Sequence, residues 1–242
     1  MDMHVHTMGA SSDSMLKPDE LSAIAGVTGL TGFNIAEHDQ VWERYRREAY
    51  RDEHQDIFTN FGMEVSTDMG HILAIGLEGY ISGIRRLAQL RDEIDKVGGF
   101  LIVAHPFRHV FDPVTAMRKG STPFDLSPEQ AAELPVFKLV HAIEVGNGCN
   151  TPRENEFAYQ VSQILGKSGT GGSDAHSNTG LGIFATGYSR TITTQQELLE
   201  ELHAGRFEAV HRTPSGRLVK FEVGSLDAAH DEVPDPETRV SA

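Results

Sequence analysis

The sequence predicts an α/β protein in which repeated strand and helix units form a parallel sheet or barrel. Short apolar segments flanked by glycine alternate with amphipathic segments along most of its 242 residues, as in repeated βα units. A hydrophobic content of 39% at this length can bury one large core, and α/β barrels of this size commonly form one domain. Polar residues recur where the apolar runs end, at the positions where parallel barrels carry functional groups. We therefore expect a single α/β domain.

Seven segments have the composition of strands, each an apolar or alternating run bounded by glycine or a turn. They are MDMHVH, GFNIAEH, IFTNFGMEV, HILAIGL, GFLIVAH, HAIEVGN and SGTGGSD. Parallel strands share their carboxyl ends, so residues far apart in sequence would meet at one rim. His71 starts the fourth strand instead of ending it. We therefore expect the fourth strand to run antiparallel, after the tight turn STDMG.

Amphipathic segments between the strands predict helices, and Pro18 fits a first helical turn. The predicted helices are PDELSAIAGVTG, ISGIRRLAQLRDEIDKVGG, RENEFAYQVSQILGKSG and TTQQELLEELHAGRF. The arginine-rich segment WERYRREAYR is typical of a solvated helix face. Residues 108–135 contain four prolines and predict a long surface excursion that could close over a site. We expect a barrel domain over residues 1–224 and a loose polar tail over residues 225–242.

Charge and composition exclude several classes of partner. The formal net charge is −14, from 35 acidic and 21 basic residues, so non-specific binding to nucleic acid would gain nothing from counterion release. No apolar run approaches the ~18 residues that span a bilayer, and a polar motif at residue 2 leaves no room for a signal peptide. The single Cys149 cannot form an internal disulfide, which suits a reducing compartment. We expect a cytoplasmic protein with no membrane partner, whose oligomeric state the sequence leaves open.

Histidine and acidic residues at the strand ends form the candidate site. His4 and His6 share one face of the first strand, and Asp174 and His176 repeat that spacing. An isolated HxH is weak evidence, since alternating polar residues are usual on a half-exposed strand. Here the motifs HVH, EHD, AHP and SDAH each end a run that reads as buried strand. Burying so many polar groups without compensation would cost several kcal/mol each, and bound metal ions would compensate.

The ligand types indicate the metals and the reaction. Imidazole and carboxylate ligands without thiolate favour Zn²⁺, Mn²⁺ or Fe²⁺ over a structural cysteine-zinc site. Several ions a few ångström apart would clamp a phosphoryl group, and a bridging water would become hydroxide at neutral pH. The sequence therefore predicts a metal-dependent hydrolase.

The order of these motifs resembles the PHP (polymerase and histidinol phosphatase) family of metal-dependent phosphoesterases. The resemblance covers residues 2 to about 210, and its motifs are HxH, SD, EHD, GxE, HILAIG, GGFLIVAHP, IEVGN and GGSDAH. It implies a distorted seven-stranded (β/α) barrel, similar to a TIM barrel. It also implies a trinuclear site with two to three divalent ions and a metal-bridging hydroxide as the nucleophile.

The same resemblance implies three ligand sets: His4, His6, Glu64 and Asp174; the bridging Glu64 with His71 and His105; and Asp13, His38 and His176. Asp13 in the loop SSDSMLKP is otherwise typical of a turn or cap residue, and its place in the family pattern favours a ligand. Many relatives have glycine after this aspartate and threonine-aspartate before the second-strand histidine, where this sequence has Ser14 and AEHD. Neither change removes a ligand, although Glu37 adds a carboxylate without an assigned role.

We expect four residues to take part in catalysis: Glu64, His38, Arg108 and His109. Arg108 follows His105 by three residues, and its guanidinium could bind two phosphate oxygens; it could equally be an exposed loop arginine. His109 could donate to the substrate or protonate a leaving group. Lys17 and Asn147 are candidates for the mouth of the site.

Three further residues have structural or supporting interpretations. Asp2 and Asp39 could orient the histidines by accepting an imidazole N–H, or could bond locally to the backbone. His141 starts a strand and could be a core-edge residue with a satisfied ring.

The favoured function is a metal-dependent phosphoric ester hydrolase that acts on the phosphomonoester of a small metabolite. A nucleotide or oligonucleotide phosphodiesterase is the alternative within the same chemistry, with nucleic acid as substrate only. An amidohydrolase on a similar barrel is a second class, disfavoured because no lysine metal bridge is evident on a middle strand. A non-catalytic domain is a third, and the retained ligands argue against it. Many relatives that act on nucleotides carry a helical insert between the GxE and AHP strands, which this sequence lacks.

Overall fold

Seven strands form a mixed sheet that curls until its first and last strands adjoin. The computed structural model describes residues 1–112, 114 and 124–228. Val5 bridges to Ala175 directly after the last strand, and the backbone N–H of His6 donates to the Ala175 carbonyl at 3.1 Å. The strands pair in chain order: β1 (Asp2–Val5), β2 (Gly32–His38), β3 (Phe58–Thr67), β4 (Gly70–Ile75), β5 (Phe100–Val103), β6 (Ala142–Asn147) and β7 (Gly169–Gly172). The predicted distorted seven-stranded barrel is confirmed.

The fourth strand runs against its neighbours, as the position of His71 predicts. β4 is antiparallel to both β3 and β5, and the other paired strands of this sheet are parallel. The reversal is tight because Gly70 takes a positive φ of 102° and β3 leads directly into β4. Ser66 pairs with His71, two residues beyond Glu64. The imidazole of His71 therefore reaches the rim at which Glu64 lies.

Helices flank the sheet and begin and end at recognisable caps. They are α1 (Leu21–Thr28, after the 3₁₀ turn Pro18–Glu20), α2 (Arg44–Glu53), α3 (Leu87–Val97), α4 (Pro128–Ala132), α5 (Val136–Leu139), α6 (Pro152–Leu165), α7 (Gln195–His203) and α8 (Ser225–Ala228). α6 starts with a capping box in which Thr151 and Glu154 each bond the other's backbone N–H, and it ends at a left-handed Gly166. α3 begins later than predicted, because Gly83 has a positive φ and the cap falls at Arg86.

A second, three-stranded antiparallel sheet was not predicted. It consists of β8 (Phe184–Tyr188), β9 (Phe207–Arg212) and β10 (Leu218–Lys220). β8 passes very close to β7: the backbone N–H of Gly171 donates to the hydroxyl of Thr186, which donates back to the Gly171 carbonyl, both at 2.9 Å. The prediction that helix TTQQELLEELHAGRF includes Phe207 is wrong, because the chain leaves the helix after His203 and enters β9.

Buried apolar side chains hold the helices against the sheet. Side chains of β3 to β6 pack with α3 and α6, including Ile72, Leu90 and Val161, and each such burial contributes about 1.5–3 kcal/mol. α1 packs Leu21 against Phe33 of β2 in a second cluster. This packing fixes the strand ends on which the site is built.

Parts of two predicted segments lie outside the described residues. Of the excursion 108–135 these are 113 and 115–123, so the suggested closure over the site falls there. Of the predicted tail, Ser225–Ala228 form α8 and 229–242 lie outside. Within the described chain, no helix combines the length and apolar character needed to cross a bilayer.

Candidate metal centre

The structure brings all nine predicted ligands to one rim of the barrel. His4 lies in β1, His38 ends β2, Glu64 lies near the end of β3 and His71 lies at the start of the reversed β4. The other five follow strand ends in loops: His6, Asp13, His105, Asp174 and His176. Parallel strands and one reversal thus produce the convergence that the motif positions predict.

Glu64 stands at the centre of the cluster, with its side chain 2% exposed. Its Oε1 lies 2.9 Å from Nδ1 of His71 and 3.0 Å from Nε2 of His105, and its Oε2 lies 2.9 Å from Nδ1 of His38. Burial opposes ionisation, but His4, His105 and His38 together hold the pKa of Glu64 well below its ordinary value. The carboxylate is therefore ionised and can bridge cations on both of its oxygens.

His4 and His6 are fully buried, and their ring nitrogens face each other. The two Nε2 atoms are 3.0 Å apart, and Oδ1 of Asp174 lies 3.2 Å from Nε2 of His6 and 3.6 Å from Nε2 of His4. Burial opposes protonation of His4, yet the carboxylates of Asp174, Glu144 and Glu64 outweigh it and raise the pKa of His4 well above the usual value. Burial lowers the pKa of His6.

A more exposed group lies on the solvent side of His6. The His6 ring stacks on the rings of His38 and His176, with centroid distances of 4.2 and 4.4 Å. Oδ2 of Asp13 lies 3.3 Å from Nε2 of His38 and 3.4 Å from Nε2 of His176. Asp13 is 58% exposed, so it closes the cluster toward solvent.

Four sets of three side chains have ligand atoms within 4.8 Å of one another. They are His6, His38 and His176; His4, His105 and Asp174; His4, His6 and Glu64; and Glu64, His71 and His105. The third contains three of the four residues of the implied first ligand set, and the fourth consists of the same residues as the implied second set. Asp174 also groups with His105, and His6 groups with the implied third set.

The donor set fits divalent cations. Oε2 of Glu64 is buried and accepts no hydrogen bond of good geometry from the described residues, although imidazole nitrogens of His38 and His6 lie 2.9 and 3.4 Å away. A buried carboxylate oxygen without a partner is costly, and a cation would satisfy it. Mixed nitrogen and oxygen ligands without thiolate suit Zn²⁺, Mn²⁺ or Fe²⁺.

Arg108 lies against the cluster. Its Nη2 donates to Oδ2 of Asp174 and to Oδ1 of Asn147 at 2.7 Å, and its Nε donates to Oδ1 of Asn150 at 3.1 Å. The guanidinium is held by three oxygens and is not a free loop arginine. His109, next in the chain, is exposed, and its backbone N–H donates to Glu154 at 2.6 Å.

Comparison with known proteins agrees with this fold. A family model described as PHP-associated matches residues 152–207, the region that carries Asp174 and His176. A two-domain protein from Bacteroides vulgatus, containing a predicted PHP-like metal-dependent phosphoesterase, is 23% identical with a TM-score of 0.58; the alignment covers 96% of this chain and 68% of that chain. This local match and the shared fold agree with the predicted resemblance to the PHP family.

Two further solved structures share this fold. One is from Bifidobacterium adolescentis and is described as a metal-dependent phosphoesterase by prediction. It is 16% identical with a TM-score of 0.54, and the alignment covers 89% of this chain and 98% of that chain. The other is an amidohydrolase from Chromobacterium violaceum with bound sulfate and no metal. It is 15% identical with a TM-score of 0.57, over 89% of this chain and 99% of that chain. No curated protein matches the sequence.

Among the described residues, Asp2 and Asp39 accept no imidazole N–H, so the first of their two predicted roles is wrong and bonding to the backbone is the one observed. Asp2 accepts backbone N–H groups of Ser173, Gly182 and His4 at 2.8, 3.0 and 3.2 Å. Burial raises its pKa to about 6. Asp39 accepts the backbone N–H of Ser66 at 2.9 Å and a guanidinium N–H of Arg85 at 2.5 Å. Both carboxylates hold the backbone around the site.

The sequence left Glu37 without a role, and the structure gives it one. Glu37 is fully buried and accepts the Ser11 hydroxyl at 2.6 Å, the indole N–H of Trp42 at 2.9 Å and both donors of Thr7. The Ser11 oxygen then accepts from Nδ1 of His6 at 3.3 Å. Glu37 therefore orients His6 through Ser11, with Nε2 of His6 directed into the cluster.

Glu144 was missed altogether, although the motif IEVGN contains it. Its Oε1 lies 3.0 Å from Nδ1 of His4, and the residue is fully buried in β6. The available signal was a lone carboxylate inside an otherwise apolar strand, HAIEVGN, because a buried carboxylate requires partners.

Of the three remaining candidates, one belongs to the site and two lie elsewhere: Asn147, Lys17 and His141. Asn147 belongs to the site through Arg108. Lys17 is 65% exposed, and its ammonium lies 4.0 Å from Glu20. His141 accepts the backbone N–H of Leu101 at 2.9 Å, which confirms its interpretation as a satisfied core-edge residue.

Proposed function

We propose that this protein is a metal-dependent phosphoesterase of the PHP family that hydrolyses the phosphate monoester of a small metabolite. The observation that carries the proposal is the buried Glu64 carboxylate, which is surrounded by imidazoles and has one oxygen that accepts no well-aligned hydrogen bond from the part of the chain that the structure describes. Arg108 beside Asp174 supplies the second element, a fixed cation at the edge of the same cluster.

Two to three divalent ions, of manganese, zinc or iron, would be held by the clustered residues: His4, His6, Asp13, His38, Glu64, His71, His105, Asp174 and His176. When bound, they would supply Lewis acidity that lowers the pKa of a water to give a hydroxide nucleophile and offsets charge on the phosphoryl oxygens.

The protein's own groups orient the ligands and the substrate. His176 places Nδ1 3.0 Å from the carbonyl of Asp174, so Nδ1 carries the proton and Nε2 remains a ligand. Arg108 uses Nε and Nη2 to bond Asn150, Asn147 and Asp174. Among the described residues Nη1 bonds no protein group, so its two N–H groups can bind phosphate oxygens. His109, one residue on, would protonate the leaving oxygen.

Charge favours a small substrate over a polymer. The net charge of −14 repels a long polyanion, whereas one phosphate group needs only the local cations. The alternative phosphodiesterase and amidohydrolase activities are outcomes of the test below.

The test combines metal analysis with substrate screening. The protein is reconstituted with Mn²⁺, Zn²⁺ or Fe²⁺, its metal content is measured, and hydrolysis is assayed. The substrates are sugar phosphates, amino-alcohol phosphates, phosphodiesters, nucleotides, short oligonucleotides and N-acyl amino acids. We expect at least two equivalents of metal and the highest kcat/KM for a small monoester, abolished by Glu64→Gln. Amide hydrolysis without ester hydrolysis, or full turnover in Glu64→Gln, contradicts the proposal.

A matched pair of variants tests Arg108. Arg108→Lys keeps the charge but loses the two-pronged geometry, so KM for the monoester should rise about tenfold, the equivalent of one charge-assisted hydrogen bond. Arg44→Lys is the control, because Arg44 is exposed and pairs with Glu48 one helical turn away. An unchanged KM in Arg108→Lys would remove Arg108 from substrate binding.

A further inference from the structure

Glu144 is a fully buried carboxylate whose two oxygens face different parts of the site. Oε1 lies 3.0 Å from Nδ1 of His4. Oε2 accepts the backbone N–H of His105 and the side-chain N–H of Asn147, both at 2.8 Å. The carboxylate thus joins β1, the loop after β5 and its own strand β6. Three polar partners compensate its burial, which would otherwise be costly.

Asn147 carries the connection onward to Arg108. Its Nδ2 donates to Glu144, and its Oδ1 accepts from Nη2 of Arg108 at 2.7 Å. A flipped amide would place an NH₂ group against the guanidinium and an oxygen against the carboxylate, so only one orientation satisfies both neighbours. Asn155 of α6 clamps the backbone of Asn147 with two hydrogen bonds, at 3.0 and 3.1 Å. The amide is therefore a fixed link and not a mobile side chain.

We propose that Glu144 is a positioning residue that couples the metal-binding imidazoles to the phosphate-binding guanidinium. When Nε2 of His4 serves as a ligand atom, Glu144 accepts the remaining ring proton on Nδ1, and Nε2 points at His6 and Asp174. Through Asn147 it sets the plane in which Arg108 meets a phosphate group. The part of this inference that concerns phosphate binding by Arg108 rests on the proposed function. The part that concerns metal binding by His4 does not.

Glu144→Gln separates positioning from packing, because it keeps the size of the side chain. If the amide NH₂ faces His4, the proton of His4 must move to Nε2, which then cannot bind metal. If the amide oxygen faces His4 instead, the NH₂ group meets the donors of His105 and Asn147. Either orientation therefore breaks one of the two connections, to His4 or to His105 and Asn147, while the volume is retained.

The experiment measures three quantities in folded variants: Zn²⁺ affinity by chelator competition, affinity for inorganic phosphate by calorimetry, and the His4 tautomer by ¹⁵N NMR. In Glu144→Gln we expect metal affinity to fall about 10- to 100-fold, the usual loss for a group that orients a ligand. Phosphate affinity should also fall. At a pH at which the His4 ring is neutral, its proton should move to Nε2 when the amide NH₂ faces the ring. Asn147→Ala should weaken phosphate binding about tenfold while the His4 tautomer stays as in the wild type.

The matched control is Glu201→Gln, since Glu201 is also buried but pairs with Arg190 and Arg206 away from the cluster. It should lower stability and leave all three quantities unchanged. Wild-type metal affinity and tautomer in Glu144→Gln would overturn the proposal, as would an Asn147→Ala variant with wild-type phosphate affinity. If Glu144→Gln fails to fold, Asn147→Ala still decides the link to Arg108. If the wild type hydrolyses no phosphate ester, the proposed function fails, and the metal and tautomer measurements still decide the role of Glu144.

Discussion

Gly172, the last residue of β7, offers the sharpest test of how closely the fold is built around the site. A Cβ atom on Gly172 would lie 2.5 Å from Cβ of His4, 2.8 Å from its backbone nitrogen and 2.9 Å from Oε1 of Glu144. Ordinary contacts begin at 3.4 Å, so in Gly172→Ala the first contact must open by about 0.9 Å. A rotamer change of His4 cannot relieve it, because its backbone nitrogen and Cβ are themselves the obstacles.

The displacement sets the size of two effects. Forcing an extra methyl group into a packed site typically costs about 1–3 kcal/mol, and about 2–4 °C of Tm per kcal/mol applies at this chain length. Moving His4 by nearly 1 Å also moves a predicted ligand, and a shift of that size can reduce turnover about 10²-fold. We therefore expect Gly172→Ala to lose about 2–12 °C in Tm, together with a far larger loss of metal affinity and activity than the stability change explains.

The assay compares Tm by calorimetry with Zn²⁺ affinity by chelator competition, well below the melting range. The matched control is Gly26→Ala in α1, where a Cβ would meet nothing within 4 Å. That variant should gain about 0.5–1 kcal/mol, since alanine is the better helix former, and keep the wild-type metal affinity. Wild-type Tm and metal affinity in Gly172→Ala would refute the close approach of β7 to His4.

Two further predictions concern histidines away from the cluster. His211 is buried, and within the described chain its Nε2 has no hydrogen-bond partner; His211→Leu should raise the unfolding free energy at pH 7 by about 1 kcal/mol, measured by urea titration, and a loss of stability would contradict this. Burial, with Arg91 and His203 nearby, lowers the pKa of His141 to about 4. The folded state therefore favours the neutral ring, and this contribution is full above the ordinary pKa of about 6.5 and is lost as pH falls toward 4. His141→Asn keeps an acceptor for Leu101, so it should flatten the stability loss between pH 6.5 and 4, and an unchanged slope would argue against this origin.

The main sheet and the convergence of the ligands were predictable because their signals are strong. Apolar strands of the barrel sheet are buried on both sides, so they stand out as short runs, and the polar residue that ends each run marks the rim. The reversal of β4 followed from one residue, His71, at the wrong end of its strand. These inferences use only local patterns and the shared direction of parallel strands.

The second sheet and the supporting carboxylates were not predictable in the same way. β9 follows a strong helical pattern after only three residues, Ala204 to Arg206, and β10 has three residues, so neither gives a clear period. The roles of Asp2, Glu37 and Glu144 depend on partners more than 20 residues away. No spacing rule indicates which backbone N–H a buried carboxylate will meet.

The glycine-rich β7 links the predicted convergence of the ligands to the second sheet, which was not predicted. Its sequence GTGG has little strand propensity, yet two of its glycines are required by neighbours on different sides. A Cβ on Gly171 would lie 2.2 Å from the carbonyl oxygen of Ala185 in β8, and one on Gly172 would meet His4. The unpredicted sheet therefore lies against one side of β7, and β1, the strand that carries His4, lies against the other. Larger side chains at Gly171 and Gly172 would fit only if β7 moved away from its neighbours, which would widen the distance between His4 and Asp174. The two glycines that make this strand hard to recognise from sequence therefore also bring the ligands together.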